Sequence, residues 1–368
     1  MTAEPLQPGS VIGIVGGGQL GRMLAQAAAK LGLKASIFAP EADSPAFDVA
    51  AFRHCADYAD AAALERFAAE ADAVTFEFEN IPAAALAIIE RLGHLAPPRQ
   101  ALEVAQDRLR ERRFLAALGL PCAPYAEVEN AAALTGACAR LAAEAPGAAF
   151  FLKRARLGYD GKGQMKIADC SAQAGAQAWL GDQPALLERE VAFRLELSVL
   201  CVRDAGGKTL FYDPPHNIHR DGILRESLVP APISAEIAGT ARGYARRITE
   251  ALGYIGVLAV EMFLGGSETE PRLLINEIAP RVHNSGHWTL DACTVSQFEN
   301  HIRAVAGWPV GSAARHSNAR LVNLLGEEAD GWRSLLEDRP DRSLVLYGKS
   351  PARRGRKMGH YVDLSPKT

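Results

Sequence analysis

Leu273-Leu274-Ile275-Asn276-Glu277-Ile278-Ala279-Pro280-Arg281-Val282-His283-Asn284-Ser285-Gly286-His287-Trp288 is the stretch on which the reading of this chain turns. An apolar strand pattern ends in an acid, Glu277, and a loop broken by Pro280 then carries Arg281, His283, Asn284 and His287. Strands end this way where a sheet presents chemistry. Upstream, Val257-Leu258-Ala259-Val260-Glu261-Met262-Phe263-Leu264 is a second apolar run, joined to the first by Gly265-Gly266-Ser267-Glu268-Thr269-Glu270-Pro271. So short and glycine-rich a connection predicts an antiparallel hairpin, and a turn centred near Thr269 sets Glu261 directly across from Glu277. Two facing carboxylates in an apolar hairpin repel and call for a cation.

Outward from the hairpin, the 368-residue chain is 48% apolar, enough for a large core and about two or three domains. A formal net charge of -3 gives wholesale binding to nucleic acid or an anionic membrane no support. Residues 1–10 lack a basic n-region, no run has the length of a membrane span, and the six cysteines are scattered. The expectation is a cytoplasmic protein with reduced thiols.

At the N-terminal end, Val11-Ile12-Gly13-Ile14-Val15 reads as a buried strand, and Gly16, Gly18 and Gly21 meet G-x-G-x-x-G between that strand and a helix. Backbone amides at a helix start make a phosphate site plausible. Ala39-Pro40 stands where a dinucleotide site wants its ribose-binding acid. Dinucleotide, monophosphate and plain tight turn all remain open on this motif. Strand and helix alternate to about Leu92, a parallel α/β pattern. Glu77 and Glu79 alternate with phenylalanines at a strand end, as ligands or as a helix cap. The helix opened by Gln106-Asp107-Arg108-Leu109-Arg110-Glu111-Arg112-Arg113 reads as mostly a solvated charged face.

Centrally, the strand Ala148 to Lys153 ends in a lysine, and a loop with Gly158, Gly161 and Gly163 follows. Amides and cations there can close over a polyphosphate; a glycine-rich hairpin is the plainer reading, and no Walker motif is present. Glu188 and Glu196 lie on strands beside that pocket, placed for a base amine and ribose hydroxyls or simply facing solvent. His216 and His219 lack the partners of a zinc site. Near the C-terminus three short strands surround a cationic loop, Gly348 to Lys357, which reads as a phosphate clamp or a solvated turn.

A strand lysine, a glycine-rich lid and two facing carboxylates spaced this widely resemble the ATP-grasp superfamily. Within it, Gly16 to Met23, Gly158-Tyr159-Asp160-Gly161-Lys162-Gly163-Gln164, His216-Asn217-Ile218-His219 with Asp221 to Arg225, and Asn276 to Trp288 closely resemble the N5-carboxyaminoimidazole ribonucleotide synthetase family of purine biosynthesis, over nearly the whole chain. That resemblance implies an α/β and α+β fold of ATP-grasp architecture: an N-terminal parallel, Rossmann-like α/β domain at 1–107, a central ATP-grasp domain at 108–310 and a small β-rich C-terminal domain at 311–368. It implies an ADP-forming ligase that joins the carboxyl of bicarbonate to 5-aminoimidazole ribonucleotide through carboxyphosphate, with ATP and Mg2+, as a homodimer.

Carried over by motif, the resemblance assigns ATP to Arg108, Lys153, the lid Gly158, Tyr159, Asp160, Gly161, Lys162, Gly163 and Gln164, then Glu188, Arg189, Glu190 and Val191, Glu196, His219, Asn276 and Glu277. Glu261 and Glu277 hold magnesium. The ribonucleotide meets Gln19, Leu20, Glu79, Tyr159, Asp160, Arg281, His283, Asn284, Lys349 and Arg356, which makes the glycine motif a monophosphate site. Asp160, Arg281 and His283 are the catalytic candidates, Arg281 for an anionic intermediate and either Asp160 or His283 for the amine proton. Leu157 stands where the family commonly has a second lid glycine, a change at no proposed contact. Three alternatives remain: a formate-dependent glycinamide ribonucleotide ligase with the same ATP parts, an NAD-binding reductase resting on Gly16, Gly18 and Gly21 alone, and a non-catalytic ATP-binding regulator, for which the double carboxylate is unnecessary.

Overall fold

The computed structural model describes residues 4–93, 95–156, 158, 163–168 and 173–367. The chain begins with β1 (Val11–Val15), α1 (Gln19–Lys30), β2 (Lys34–Ala39), β3 (Phe52–Cys55), α2 (Ala61–Glu70), β4 (Ala73–Phe76) and α3 (Ala83–Arg91). The four strands form a parallel sheet in the order β3-β2-β1-β4, as the alternation predicts. Strands β1, β2 and β4 are buried on both faces, which is why they read as short apolar runs rather than alternating ones, while β3 at the edge is largely exposed.

After α4 (Arg99–Ala105) and α5 (Arg108–Ala117) comes a small layer of β5 (Tyr125–Val128), α6 (Leu134–Glu144), β6 (Phe150–Arg154), β7 (Gln164–Ile167), α7 (Gln173–Leu180) and β8 (Ala185–Arg189). Its sheet is antiparallel, β5-β8-β6-β7, with Lys153 near the end of β6 and Gln164 opening β7 opposite it. Lid residues Tyr159, Asp160, Gly161 and Lys162 fall outside the described residues. The free thiols include Cys55, Cys122, Cys201 and Cys293; Cys138, expected reduced, is disulfide-bonded.

The remaining elements are β9 (Leu195–Arg203), β10 (Thr209–Phe211), β11 (His216–Arg220), β12 (Ile223–Val229), α8 (Ala235–Ala251), β13 (Gly256–Gly266), β14 (Pro271–Ala279), α9 (Thr289–Ala292), α10 (Gln297–Val305), β15 (Ser317–Leu325), α11 (Trp332–Asp338), β16 (Ser343–Leu346) and β17 (Lys357–Pro366). One continuous sheet runs β14-β13-β9-β11-β12-β15-β17-β16, so the β-rich C-terminal strands extend the central sheet rather than closing one of their own. The hairpin of β13 and β14 sits at its edge, and the Lys349 loop joins β16 to β17 at the other side.

That hairpin pairs Glu261 with Glu277, as expected, but by a different route. From Gly266↔Pro271 to Met262↔Ile275 the ladder is regular, with its centre half a residue before Thr269. Continued unchanged, it would bring Asn276 opposite Glu261. A β-bulge between Glu261 and Met262 adds one residue to β14 and delivers Glu277 instead.

The N-terminal sheet is fixed to the central part by an apolar core in which Leu24 and Ala28 of α1 join Phe298 and Ile302 of α10. His301 of α10 adds a polar tie: its Nδ1 accepts from the Val257 amide at 3.0 Å, which leaves Nε2–H for the Thr75 hydroxyl at 2.7 Å. Among the described residues no helix is long and apolar enough to cross a membrane.

Candidate active site

The carboxyl ends of β1 and β4, the layer of β5 to β8, and the β13–β14 hairpin enclose one cleft of about 1120 Å³. Gln19, Leu20, Glu79, Arg108, Lys153, Gly158, Gln164, Glu188, Arg189, Glu190, Val191, Glu196, His219, Glu261, Asn276, Glu277, Arg281, His283, Asn284, Lys349 and Arg356 all line it. Residues more than three hundred positions apart in sequence thus share one space.

The glycine motif acquires its explanation here. Glu77, not Glu79, lies on it: its carboxylate accepts from the Gly18 amide at 2.9 Å, and burial pushes its pKa up. A Cβ on Gly16, whose φ is +112°, would sit 2.7 Å from Glu77 Cγ. These glycines therefore make room for a carboxylate against the start of α1, which leaves no berth for a dinucleotide pyrophosphate and removes the ground of the NAD reading. Gln19 and Leu20 open α1 just beyond, where first-turn amides lack intrahelical partners. Glu79 instead pairs with Arg281.

At the hairpin, Glu277 faces the cleft with its side chain 42% exposed, and Arg108 Nη1 is 3.7 Å from its Oε2. Desolvation and then the Glu261 charge raise the pKa of Glu277. Burial would raise Glu261 too, but the hydrogen bond from His283, with the charges of His219 and Lys357, holds its carboxyl below the usual range. Two or three oxygen donors suit Mg2+, which usually takes one or two carboxylates and completes its shell with phosphate and water. The pair fits that ion; among the described residues no cluster of three or more His, Cys, Asp or Glu side chains offers a closed site for another.

His283 is held by a buried chain of hydrogen bonds. The Ser285 amide donates to its Nδ1 at 3.3 Å, so that nitrogen is an acceptor, and Ser285 Oγ lies 2.8 Å away. Ser285 Oγ meets Ser198 Oγ at 2.7 Å, Asn217 Nδ2 donates to Ser198 at 3.0 Å, and Ser227 donates to Asn217 Oδ1 at 2.8 Å. The chain is consistent in one direction and leaves the imidazole proton on Nε2, 3.1 Å from Glu261 Oε1. His283 thus points at the carboxylate pair as a donor. Asn284 spends much of its amide on reciprocal bonds with Asn323, at 3.0 and 2.6 Å.

Near the lid, Lys153 Nζ lies 2.5 Å from Glu188 Oε2, and Arg112 reaches the other oxygen at 2.8 Å. Burial opposes the Glu188 charge, but the two cations bring its pKa to about 2. Glu188 is a counter-ion for the lysine, not a free acceptor for a base. Glu196 lies 2.5 Å from His219 Nδ1; burial disfavours charge on that histidine, yet Glu196 and Glu261 outweigh it and raise its pKa. Arg356 Nη1 donates to the carbonyls of Ser350 and Pro351 at 2.9 Å each, bracing the cationic loop beside Lys349.

Several site residues were not legible. Glu111 and Arg112 belong to a helix read as a solvated face, yet they are 2% and 1% exposed, because Glu188 and the backbone of β14 receive them. Phe193 and Phe263, stacked at 4.6 Å, give the cleft an aromatic wall that two separate phenylalanines do not announce. Arg353 and Arg354 also line the cleft and were visible as charge in the loop.

Known proteins match this chain along its length. Residues 10–106 match a ribonucleotide synthetase preATP-grasp domain, residues 113–298 an ATP-grasp domain and residues 319–366 a phosphoribosylaminoimidazole carboxylase C-terminal domain. The N5-carboxyaminoimidazole ribonucleotide synthase of Brucella melitensis is 45% identical over 370 residues, covering 100% of both chains, and that of Bacillus subtilis is 40% identical over 364, covering 98% and 93%. An ADP complex of an N5-carboxyaminoimidazole ribonucleotide synthetase superposes with a TM-score of 0.92 at 39% identity, covering 98% of this chain and 94% of that one. The Aspergillus clavatus synthase in complex with ADP and 5-aminoimidazole ribonucleotide superposes at 0.88 with 28% identity, covering 98% and 94%.

Proposed function

The chain belongs to the N5-carboxyaminoimidazole ribonucleotide synthase family, an ATP-grasp ligase that forms ADP while carboxylating 5-aminoimidazole ribonucleotide for purine biosynthesis, and we propose how its cleft divides that work. The observation that carries the proposal is the shared space. Glu261 and Glu277 stand opposite one another in the cleft that also holds the start of α1, the Glu79–Arg281 pair and the Lys349–Arg356 loop.

ATP lies with its phosphates toward Lys153, which Glu188 holds, Arg108 and the lid from Gly158 through Tyr159, Asp160, Gly161, Lys162 and Gly163 to Gln164; Arg189, Glu190, Val191, Glu196 and His219 contact the rest. Glu261 and Glu277 would hold Mg2+, which would supply positive charge to the phosphate oxygens, and Asn276 beside them contacts ATP. Bicarbonate oxygen attacks the γ-phosphorus, the bond to ADP breaks, and carboxyphosphate forms. Because that species hydrolyses readily, lid closure has to exclude water first. The ribonucleotide phosphate rests on the Gln19–Leu20 amides, Lys349 and Arg356, and its ring end meets Glu79, Tyr159, Arg281 and Asn284. The C–O bond of carboxyphosphate then breaks, inorganic phosphate leaves, and the amine nitrogen bonds the carboxyl carbon while Arg281 balances the anionic charge. His283 donates toward Glu261, so the amine proton goes to Asp160.

The domain division at 1–107, 108–310 and 311–368, a homodimer and a cytoplasmic location complete this reading. Its test is ADP release with and without bicarbonate and 5-aminoimidazole ribonucleotide. Release that depends on both is the expected result; dependence on formate and glycinamide ribonucleotide instead would transfer the chain's activity to the other ligase.

A further inference from the structure

The β-bulge that brings Glu277 opposite Glu261 lies in β14, the edge strand of the large sheet. An edge strand has no neighbour to hold an irregular register, and a slip of one residue turns every following side chain to the other face. Here the slip would set Asn276 against Glu261 and turn Glu277 away from the cleft. Nothing in the hairpin itself prevents this, since the regular ladder of Gly266 to Met262 favours continuing regularly.

On the outer edge of β14, however, three successive backbone groups around the bulge are taken. The Ile275 amide donates to the Pro121 carbonyl at 2.8 Å, the Asn276 carbonyl accepts from Arg112 Nη2 at 2.5 Å, and the Ile278 amide donates to Glu111 Oε1 at 2.7 Å. Glu111 and Arg112 are adjacent on α5, buried, and joined to each other at 3.0 Å. A parallel bridge from Cys122 holds the edge at Ile275, and just beyond it side chains of a helix stand where that neighbour would continue, bracketing Glu277 on both sides. The same guanidinium bonds Glu188, whose other oxygen holds Lys153, so the phosphate lysine and the bulge share one anchor.

We propose that Glu111 and Arg112 are positioning residues: they clamp the bulge of β14 so that Glu277, and not Asn276, faces Glu261. The proposal rests on Glu277 being a metal ligand, as read above. Removing an anchor of this kind typically weakens metal binding about 10- to 100-fold.

The test is direct Mn2+ binding to the full chain with ADP present, read from the electron paramagnetic resonance of free Mn2+, together with ADP binding in the absence of metal. Glu277→Gln weakens Mn2+ binding if the ligand reading holds, and unchanged binding in that variant overturns the ligand reading itself. Glu111→Leu should raise the Mn2+ dissociation constant about tenfold or more while metal-free ADP binding stays the same. Glu111→Gln keeps a carbonyl oxygen for the Ile278 amide and should recover most of the affinity. Weakened Mn2+ binding in Glu277→Gln with none in Glu111→Leu overturns the clamp alone. Equal losses in the Leu and Gln variants also count against it, because a merely structural loss of charge would act in both. Should the leucine variant fail to fold, hydrogen exchange of the Ile278 amide in the unaltered protein decides: slow exchange supports the clamp, and exchange at the rate of an open edge overturns it.

Discussion

Single side chains in this cleft work against their own comfort. Glu277 is raised in pKa by desolvation and by Glu261, so its charge is tolerated for the cation it can share rather than for the fold. Glu277→Gln is therefore expected to remove most turnover while leaving thermal stability equal or higher, and ADP release beside a melting curve checks both. Near-normal turnover would sink the metal role. Arg356 has the opposite profile, with Nη1 committed to loop carbonyls and its loop in the cleft wall. Arg356→Ala should chiefly raise the KM for 5-aminoimidazole ribonucleotide, leaving that for ATP near its original value; an unchanged ribonucleotide KM would place the arginine outside the phosphate site.

Elements place these side chains through ends and edges. Lys153 is near the carboxyl end of β6, Gln19 and Leu20 open α1, and Glu277 stands at a bulge. Away from the cleft, α8 shows how local the control of an element can be. The Ser234 hydroxyl caps it by accepting from the Ile237 amide at 3.2 Å, while Ala241, Ala245 and Ile248 bury one face against β9 and β13. Ser234→Ala should cost about 1 kcal/mol in a denaturant titration without changing turnover. A loss of activity at unchanged stability would mean that α8 does more than support the sheet. That cap and the helix after it could be read from Ser234 onward, because capping chemistry and 3.6-residue periodicity are local. The burial of Glu111 and Arg112 could not, since a charged helix hides its role until Glu188 and β14, distant in sequence, are brought to it.

For the whole molecule, one sheet spans from the carboxylate hairpin to the cationic loop, and α1 packed on α10 fixes the N-terminal domain to it. A buried histidine, His301, forms part of that joint, and another, His360, is buried in the C-terminal strands of the sheet. Burial depresses the pKa of His301, which bridges Thr75 and Val257, and of His360, which meets the Tyr347 hydroxyl at 2.8 Å, each from 6.5 to about 3. A base whose folded pKa is depressed contributes its stability above its unfolded pKa and loses it as pH falls toward the folded one. Unfolding free energy should thus drop between pH 6.5 and 3 by about 1.4 kcal/mol per pH unit per histidine. Denaturant titrations at stepped pH check this, and His301→Gln should flatten the slope; a flat profile in the unaltered protein would remove His301 from the joint.

Much of this architecture was legible beforehand. Apolar strand runs alternating with helical segments marked the parallel sheet, the short glycine-rich connection marked the hairpin, and Asn276 to Trp288 carried the family. These signals are local, set by backbone preference and by the pattern of burial along a strand. The sequence by itself thus determined the element types, the pairing of Glu261 with Glu277 and the chemistry each motif can offer. Only the tertiary structure decided that a bulge achieves that pairing, that Glu77 rather than a pyrophosphate occupies the glycine turn, and that His283 is protonated toward Glu261. The first two depend on hydrogen-bond partners far apart in the chain, and the third on Ser285 nearby together with Ser198, Asn217 and Glu261 far away; no local pattern encodes which distant partner folding will bring.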